Sequence, residues 1–135
     1  MAKTIAIIFG VVFVLVGVLG FVPNPLVGPT GLFETDTLHN LVHLLFGIIL
    51  LAVAFMAPAV SSLWLKILGV VYLLLAVLGF LTIDMGGELF GLVHMNHADH
   101  WLHVFLGVVL LLAGFLAKDA GRMTTTYGSS LSEPM

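Results

Sequence analysis

The sequence contains no cysteine and few charged residues. Without cysteine it can form no disulfide framework, no iron–sulfur cluster and no thiolate metal site. Only 8% of its 135 residues are charged, whereas a soluble domain usually carries about a quarter. The four Lys and Arg residues are scattered along the chain instead of forming a basic stripe, so no nucleic-acid surface is predicted.

Motifs typical of enzymes are also absent. The sequence has no HExxH motif, no phosphate-binding loop and no recognisable pairing of a nucleophile with a base. It has no paired carboxylates whose spacing would suggest hydrolysis. These absences favour a non-enzymatic protein, and the class of protein must be inferred from what the sequence does contain.

Apolar residues dominate the composition, at 61% of the chain. A soluble domain of this size has too little interior to bury them, so lipid must solvate much of the protein. Four apolar stretches approach the roughly 20 residues that a helix needs to cross the hydrocarbon core. They predict an all-α membrane protein, a four-helix transmembrane bundle within residues 1–120, followed by a disordered cytoplasmic tail at residues 121–135. The predicted spans are residues 5–22, 38–57, 63–83 and 99–117.

An internal repeat links the two halves of the chain. Residues 10–21 and 69–80 are identical at eight of twelve positions. One span later, a His-x3-Gly-x7-Phe pattern at residues 43–55 recurs at residues 103–115. The pattern predicts a duplicated helical hairpin. Because each unit contains two spans, both units point the same way, and we expect a pseudo-twofold axis along the membrane normal.

The basic residues predict the orientation. With four spans, Lys3, Lys66, Lys118 and Arg122 all fall on one side of the membrane. The other side has no Lys or Arg and carries five of the seven acidic residues. Since basic residues concentrate in cytoplasmic segments, both termini are predicted to be cytoplasmic.

Histidines are the main candidates for chemistry, and all six are predicted on the outer side. His39 and His43 are four residues apart at the start of the second span, so they share one helix face. Asp99 and His103 form the equivalent stripe at the start of the fourth span. The duplication is expected to place these two stripes opposite each other. The remaining histidines are His94, His97 and His100.

Three interpretations of this arrangement remain open. His39, His43, Asp99 and His103 are together a suitable ligand set for a divalent metal such as Zn or Cu. Alternatively, His43 and His103 are axial ligands of haem b in an electron-transfer protein, and the glycines one turn deeper make room for the cofactor. In the third interpretation the histidines are interfacial polar residues of a structural or accessory subunit, either in a homo-oligomer or in a larger membrane complex.

The segments around these histidines resemble a known family. The run at residues 38–47 and the Asn-His-Ala-Asp-x-x-Leu-His pattern at residues 96–103 are similar to domain-of-unknown-function family 4383. The resemblance covers nearly the whole chain up to about residue 117. It implies a small four-helix protein of the bacterial inner (plasma) membrane. The family brings no established activity, so it assigns no functional residue.

Overall fold

The four apolar stretches contain no internal proline, so each forms an uninterrupted helix whose backbone hydrogen bonds are satisfied within the segment, as lipid requires. The computed structural model describes residues 1–82 and 88–119. Its described part contains four helices that are long and apolar enough to cross a membrane, as predicted, which favours a multi-pass membrane protein. They are α1 (Ala2–Leu19), α2 (Thr37–Met56), α3 (Ser61–Thr82) and α4 (His97–Leu116).

The helix ends differ slightly from the predicted spans. Helix α1 ends at Leu19, before the predicted limit at residue 22, since Pro23 and Pro25 follow closely and cannot continue a helix. A single 3-10 turn, Pro58–Val60, joins α2 to α3. The predicted end of the third span at residue 83 and the predicted tail at residues 121–135 lie outside the described residues.

The N-caps of α2 and α4 determine how deep the histidines lie. Asp36 Oδ1 accepts a hydrogen bond from the His39 backbone N–H at 2.7 Å, and Asn96 Oδ1 accepts one from the Asp99 N–H at 3.0 Å. Such side-chain caps satisfy backbone donors that the helix itself leaves free. Counted from these starts, His43 and His103 lie roughly 9 Å inside their helices.

Glycine residues allow the two helices of each hairpin to pack tightly. Helix α1 packs mainly on α2, and α3 mainly on α4. A Cβ added to Gly47 would lie 2.7 Å from the Val14 backbone nitrogen, and one on Gly107 would lie 3.0 Å from the Gly69 carbonyl oxygen. Only hydrogen at these positions lets the two backbones approach so closely. The glycines beside the histidines therefore serve helix packing.

The two ends of the bundle have different cores. The end where Ala2 bonds to Lys118 has a mainly apolar core that includes Phe13, Leu50, Leu65 and Leu110. The loop end, formed by residues 20–36 and 88–96, has a polar core. The ring of Phe13 stacks on that of Tyr72, with centroids 5.2 Å apart, where the two regions meet. The buried polar residues of the loop end are Thr35, His39, Asn40, His43, Asp99, His100 and His103.

The loop of each hairpin forms hydrogen bonds with the other hairpin. Each contains a pair of two-residue strands, β1 (Val27–Gly28) with β2 (Phe33–Glu34) and β3 (Glu88–Leu89) with β4 (Val93–His94). Asp36 Oδ2 accepts a hydrogen bond from the His94 backbone N–H at 2.9 Å, and Asn96 Nδ2 donates to the Leu32 carbonyl at 3.0 Å. Each capping residue thus also binds the loop of the other hairpin and holds it over the polar core.

Candidate metal centre

Three histidine side chains converge in the polar core. His39 and His43 project from one face of α2, and His103 projects from the second turn of α4. One ring nitrogen from each lies within 4.8 Å of the others, and the Nε2 atoms of His39 and His43 are 3.1 Å apart. The three residues are 2–5% exposed. Three imidazole nitrogens at this separation could ligate a single ion.

The opposite nitrogen of each ring contacts an oxygen. His39 Nδ1 lies 3.2 Å from the His94 carbonyl, and His103 Nδ1 lies 2.7 Å from the Asp99 carbonyl. A carbonyl can only accept a hydrogen bond, so both rings carry their proton at Nδ1 and leave Nε2 unprotonated when neutral. Metal-ligating histidines are usually oriented in this way, through a hydrogen bond from the ring nitrogen that does not bind the metal.

The third ring, that of His43, also has an oxygen beside its Nδ1 atom. The Tyr72 hydroxyl lies 3.3 Å from His43 Nδ1. Because His39 Nε2 is unprotonated, His43 Nε2 must donate across the 3.1 Å contact, and His43 Nδ1 accepts from the tyrosine. Metal ligation through His43 Nε2 would move that proton to Nδ1. The tyrosine oxygen would then accept, since a hydroxyl can do either.

The Asp99 carboxyl group lies beside His39 and His103. Its Oδ1 is 3.5 Å from His103 Nδ1, and its Oδ2 is 3.7 Å from His39 Nε2. The residue is 2% exposed, and Oδ2 has no hydrogen-bond partner among the described residues. Burying an unpaired carboxylate is costly, so this site requires either a proton or a cation.

The other histidines lie apart from this group. His94 pairs through Nε2 with Glu34 Oε2 at 2.9 Å, where both side chains are partly exposed. His97 is exposed at the start of α4. His100 is buried against Gly79, and neither ring nitrogen has a partner in the described part of the chain. Of the four residues predicted as metal ligands, the structure brings the ring nitrogens of His39, His43 and His103 together. Asp99 lies beside two of these rings, and the remaining histidines lie apart.

Sequence reasoning missed Tyr72 and the backbone carbonyls. A signal for Tyr72 was present, because in the repeat it replaces Phe13 and is the only polar substitution among the twelve matched positions. The carbonyls of His94 and Asp99 had no such signal, since every residue has a carbonyl and only the fold decides where it points.

The geometry does not fit haem. The rings of His43 and His103 have centroids 6.3 Å apart, but His39 forms the third corner of a triangle, 4.9 Å from His43 and 5.7 Å from His103. Tyr72 stacks on His103 at 4.9 Å. A macrocycle between two axial histidines would extend through the space that His39 and Tyr72 fill. A single ion needs no such planar slot.

Comparison with known proteins identifies the family. The model of the family described as "Domain of unknown function (DUF4383)" matches residues 3–116. The chain belongs to this family, as the histidine-bearing segments predicted. No curated protein and no solved structure matches the chain. The function must therefore be inferred from the site itself.

The hydrogen-bond directions predict the protonation of each ring. In metal-free protein above the imidazole range, at about pH 8, ¹⁵N NMR should find the proton of His39 and His103 on Nδ1 and that of His43 on Nε2. Tyr72→Phe should perturb the His43 signals and leave those of the partly exposed His94 unchanged. A His39 ring protonated on Nε2 would contradict the assigned hydrogen-bond chain.

Proposed function

We propose that this membrane protein binds a divalent metal ion at the loop end of the bundle and has no enzymatic activity. His39, His43 and His103 are the imidazole ligands, and Asp99 is the fourth, anionic ligand. The observation that carries the proposal is the placement of the ring nitrogens. One nitrogen of each histidine contacts an oxygen outside the cluster. One ring nitrogen of each histidine lies within 4.8 Å of the others, and the buried Asp99 carboxylate lies 3.7 Å from His39 Nε2 and 3.5 Å from His103 Nδ1.

The donor set and its spacing suit Zn²⁺ or Cu²⁺. Both ions accept imidazole and carboxylate ligands. A tetrahedral zinc ion with bonds of about 2.0–2.1 Å holds its nitrogens about 3.3 Å apart. The 3.1 Å between Nε2 of His39 and Nε2 of His43 is close to that separation. The two Nε2 atoms therefore already lie near the separation that two ligands of one ion require.

The shape of the polar core favours binding over transport. Polar side chains extend from the outer loops as far as Tyr72, roughly 15 Å from the loop end of α3. Beyond Tyr72 the described core is apolar apart from Ser61, at the opposite end of α3. A cation reaching the histidines would therefore meet no continuing set of ligands among the described residues, which supports a role in holding an ion.

We also propose that the bundle is a duplicated hairpin, with the site on its pseudo-twofold axis. Residues at the repeat offset of 59 or 60 positions meet one another in pairs. Phe13 stacks on Tyr72, and three more pairs follow toward the loops. They are His43 with His103, His39 with Asp99, and Glu34 with His94. Residues that pair with their own repeat equivalents are expected to lie near such an axis.

The proposed orientation places the site outside the cell. The basic residues put both termini in the cytoplasm and the loop end at the outer face of a bacterial inner membrane. The histidines would then be reached from the outer side, through the loops that cross above them.

The metal proposal predicts which variants lose the ion. His43→Ala or His103→Ala should abolish stoichiometric Zn²⁺ binding measured by calorimetry in detergent. Asp99→Asn should weaken it by at least tenfold, because the anionic ligand is lost. The matched control is His97→Ala, since this exposed histidine at the start of α4 lies outside the cluster.

Binding should also depend on pH. Ligating nitrogens must be unprotonated, so protons compete with the ion, and the affinity should fall as the pH is lowered through about 6.5, the ordinary imidazole value. If His43→Ala and His103→Ala bind Zn²⁺ and Cu²⁺ as the parent protein does, the metal proposal is wrong.

The pseudo-twofold axis predicts the effect of exchanging two ligands. In the double variant His39→Asp/Asp99→His, the ligand set keeps three histidines and one aspartate, because the two positions are equivalent in the repeat. We expect it to retain Zn²⁺ affinity within about tenfold of the parent, a change of about 1.4 kcal/mol. The single variant His39→Asp, with two adjacent carboxylates, should bind more weakly than the double variant. Equal loss in both would argue against a site on the axis.

Reporter fusions test the orientation. A reporter that is active only in the cytoplasm should be active when fused after Met135. A reporter that is active only outside should be active when inserted near Gly28, in the first outer loop. The reverse pattern would place the histidine site on the cytoplasmic side and would refute the assignment from basic residues.

A further inference from the structure

The three histidine rings of the proposed metal centre line one small cavity. Its volume is about 80 Å³, and its walls come from α2, α3, α4 and the second loop. A larger cavity, of about 210 Å³, lies on the side of α1 and is lined by only one of the three histidines, His43. An ion held by all three rings would therefore border the smaller cavity. Apart from the three rings and Tyr72, the residues that line this cavity are apolar, and Met95 is among them.

The place of Met95 in the second loop turns its side chain toward this cavity. Met95 follows β4 (Val93–His94), and successive side chains of an extended segment point to opposite faces. The His94 side chain faces outward and pairs with Glu34, which is partly exposed. The two neighbours of His94, Val93 and Met95, both line the cavity. Met95 is 2% exposed, so its thioether is enclosed on the same side of the loop as the three rings.

Contacts on both sides of Met95 fix its backbone between the two helices that carry the histidines. The carbonyl of the preceding residue, His94, contacts His39 Nδ1 of α2 at 3.2 Å. The following residue, Asn96, caps α4, the helix that carries His103. The methionine side chain is unbranched and has three rotatable bonds, so its sulfur can adjust its position to an ion held by neighbouring ligands.

We propose that Met95 is a further ligand of the metal centre and makes this centre selective for Cu(I). Thioether sulfur is a soft ligand that favours Cu(I), and imidazole also suits copper. Zinc sites in proteins are built from thiolate, imidazole and carboxylate ligands. A copper ion can therefore use the thioether in addition to the three imidazoles, whereas a zinc ion gains little from it. The proposal rests on the proposed function, since it assumes that the three histidines bind a metal, and it names the ion.

The charge of the surroundings also fits a monovalent ion. Of the acidic residues in the described part of the chain, Asp99 alone is buried. Neutral imidazole and thioether ligands add no charge, so Cu(I) beside one ionised carboxylate gives a neutral site. With Zn²⁺ one positive charge would remain. An uncompensated charge is costly in a protein interior, so the burial of the site favours the monovalent ion.

The ligand role predicts that Met95 affects two ions differently. The Cu(I) affinity of the full chain is measured anaerobically in detergent, with bicinchoninate as the competing chelator. Met95→Leu keeps an apolar side chain of similar volume and removes the sulfur. The Cu(I) affinity should therefore fall about tenfold, a change of about 1.4 kcal/mol, while the Zn²⁺ affinity stays within about twofold of the parent. The matched control is Met56→Leu, the same substitution at an 85% exposed residue at the end of α2, which should leave both affinities unchanged.

X-ray absorption at the copper edge tests the ligand directly. The Cu(I)-loaded parent protein should show one sulfur neighbour at the metal, and Met95→Leu should show none. A sulfur neighbour that persists in this variant, or a Cu(I) affinity equal to that of the parent, would overturn the proposal. Equal losses of Cu(I) and Zn²⁺ affinity in Met95→Leu would make Met95 a packing residue and would overturn it as well.

Zn²⁺ and Cu²⁺ calorimetry on the same samples tests the proposed function separately. A protein that binds Zn²⁺ through its histidines, but whose Cu(I) affinity is independent of Met95, would support the proposed function and refute the present inference. A protein that binds Cu(I) through Met95 and binds neither divalent ion would support the inference and refute the divalent site.

Discussion

The carboxylate of Asp36 holds the loop end of the molecule together. Its Oδ1 caps α2 through the His39 N–H, and its Oδ2 accepts the His94 N–H from the other hairpin. Hydrogen bonds to a charged acceptor contribute about 1.5–3 kcal/mol each, more than neutral ones. One side chain thereby fixes both where α2 begins and where the second loop lies. The carbonyl group of the same residue, His94, then orients the His39 ring.

Part of this structure follows from sequence alone. The number of spans is predictable because lipid imposes a simple length and composition, and the caps at Asp36 and Asn96 follow from local chemistry. The grouping of His39 and His43 with Asp99 and His103 was predictable because the repeat supplied a long-range constraint that helical periodicity lacks. The orienting carbonyls were not predictable, nor were the two cavities, since both depend on how the hairpins meet. The predicted span placed the end of α1 too far along the chain, because hydropathy alone does not account for the prolines that follow.

In the proposed duplicated hairpin, divergence between the two halves would set the charge near the axis. A bundle of identical hairpins would place identical residues opposite each other near the axis, and two facing carboxylates would repel strongly in a buried environment. Here two acidic residues each face a histidine instead, in the pairs His39 with Asp99 and Glu34 with His94. The acid belongs to the first half in one pair and to the second half in the other. Each half therefore contributes one acid and one histidine to these two pairs.

The hydrogen bonds to the three rings bear directly on the proposed metal binding. His39 and His103 are held by carbonyls of the backbone, which cannot rotate away, whereas His43 is held by a hydroxyl that can both donate and accept. In the proposed metal site, the first two rings would thus be arranged for ligation before an ion arrives, and only the third would exchange its proton between nitrogens. A site arranged in advance loses less ordering free energy on binding. The Tyr72 hydroxyl, which contacts His43 and can donate or accept, is therefore where the metal-free state and the proposed metal-bound state are expected to differ most.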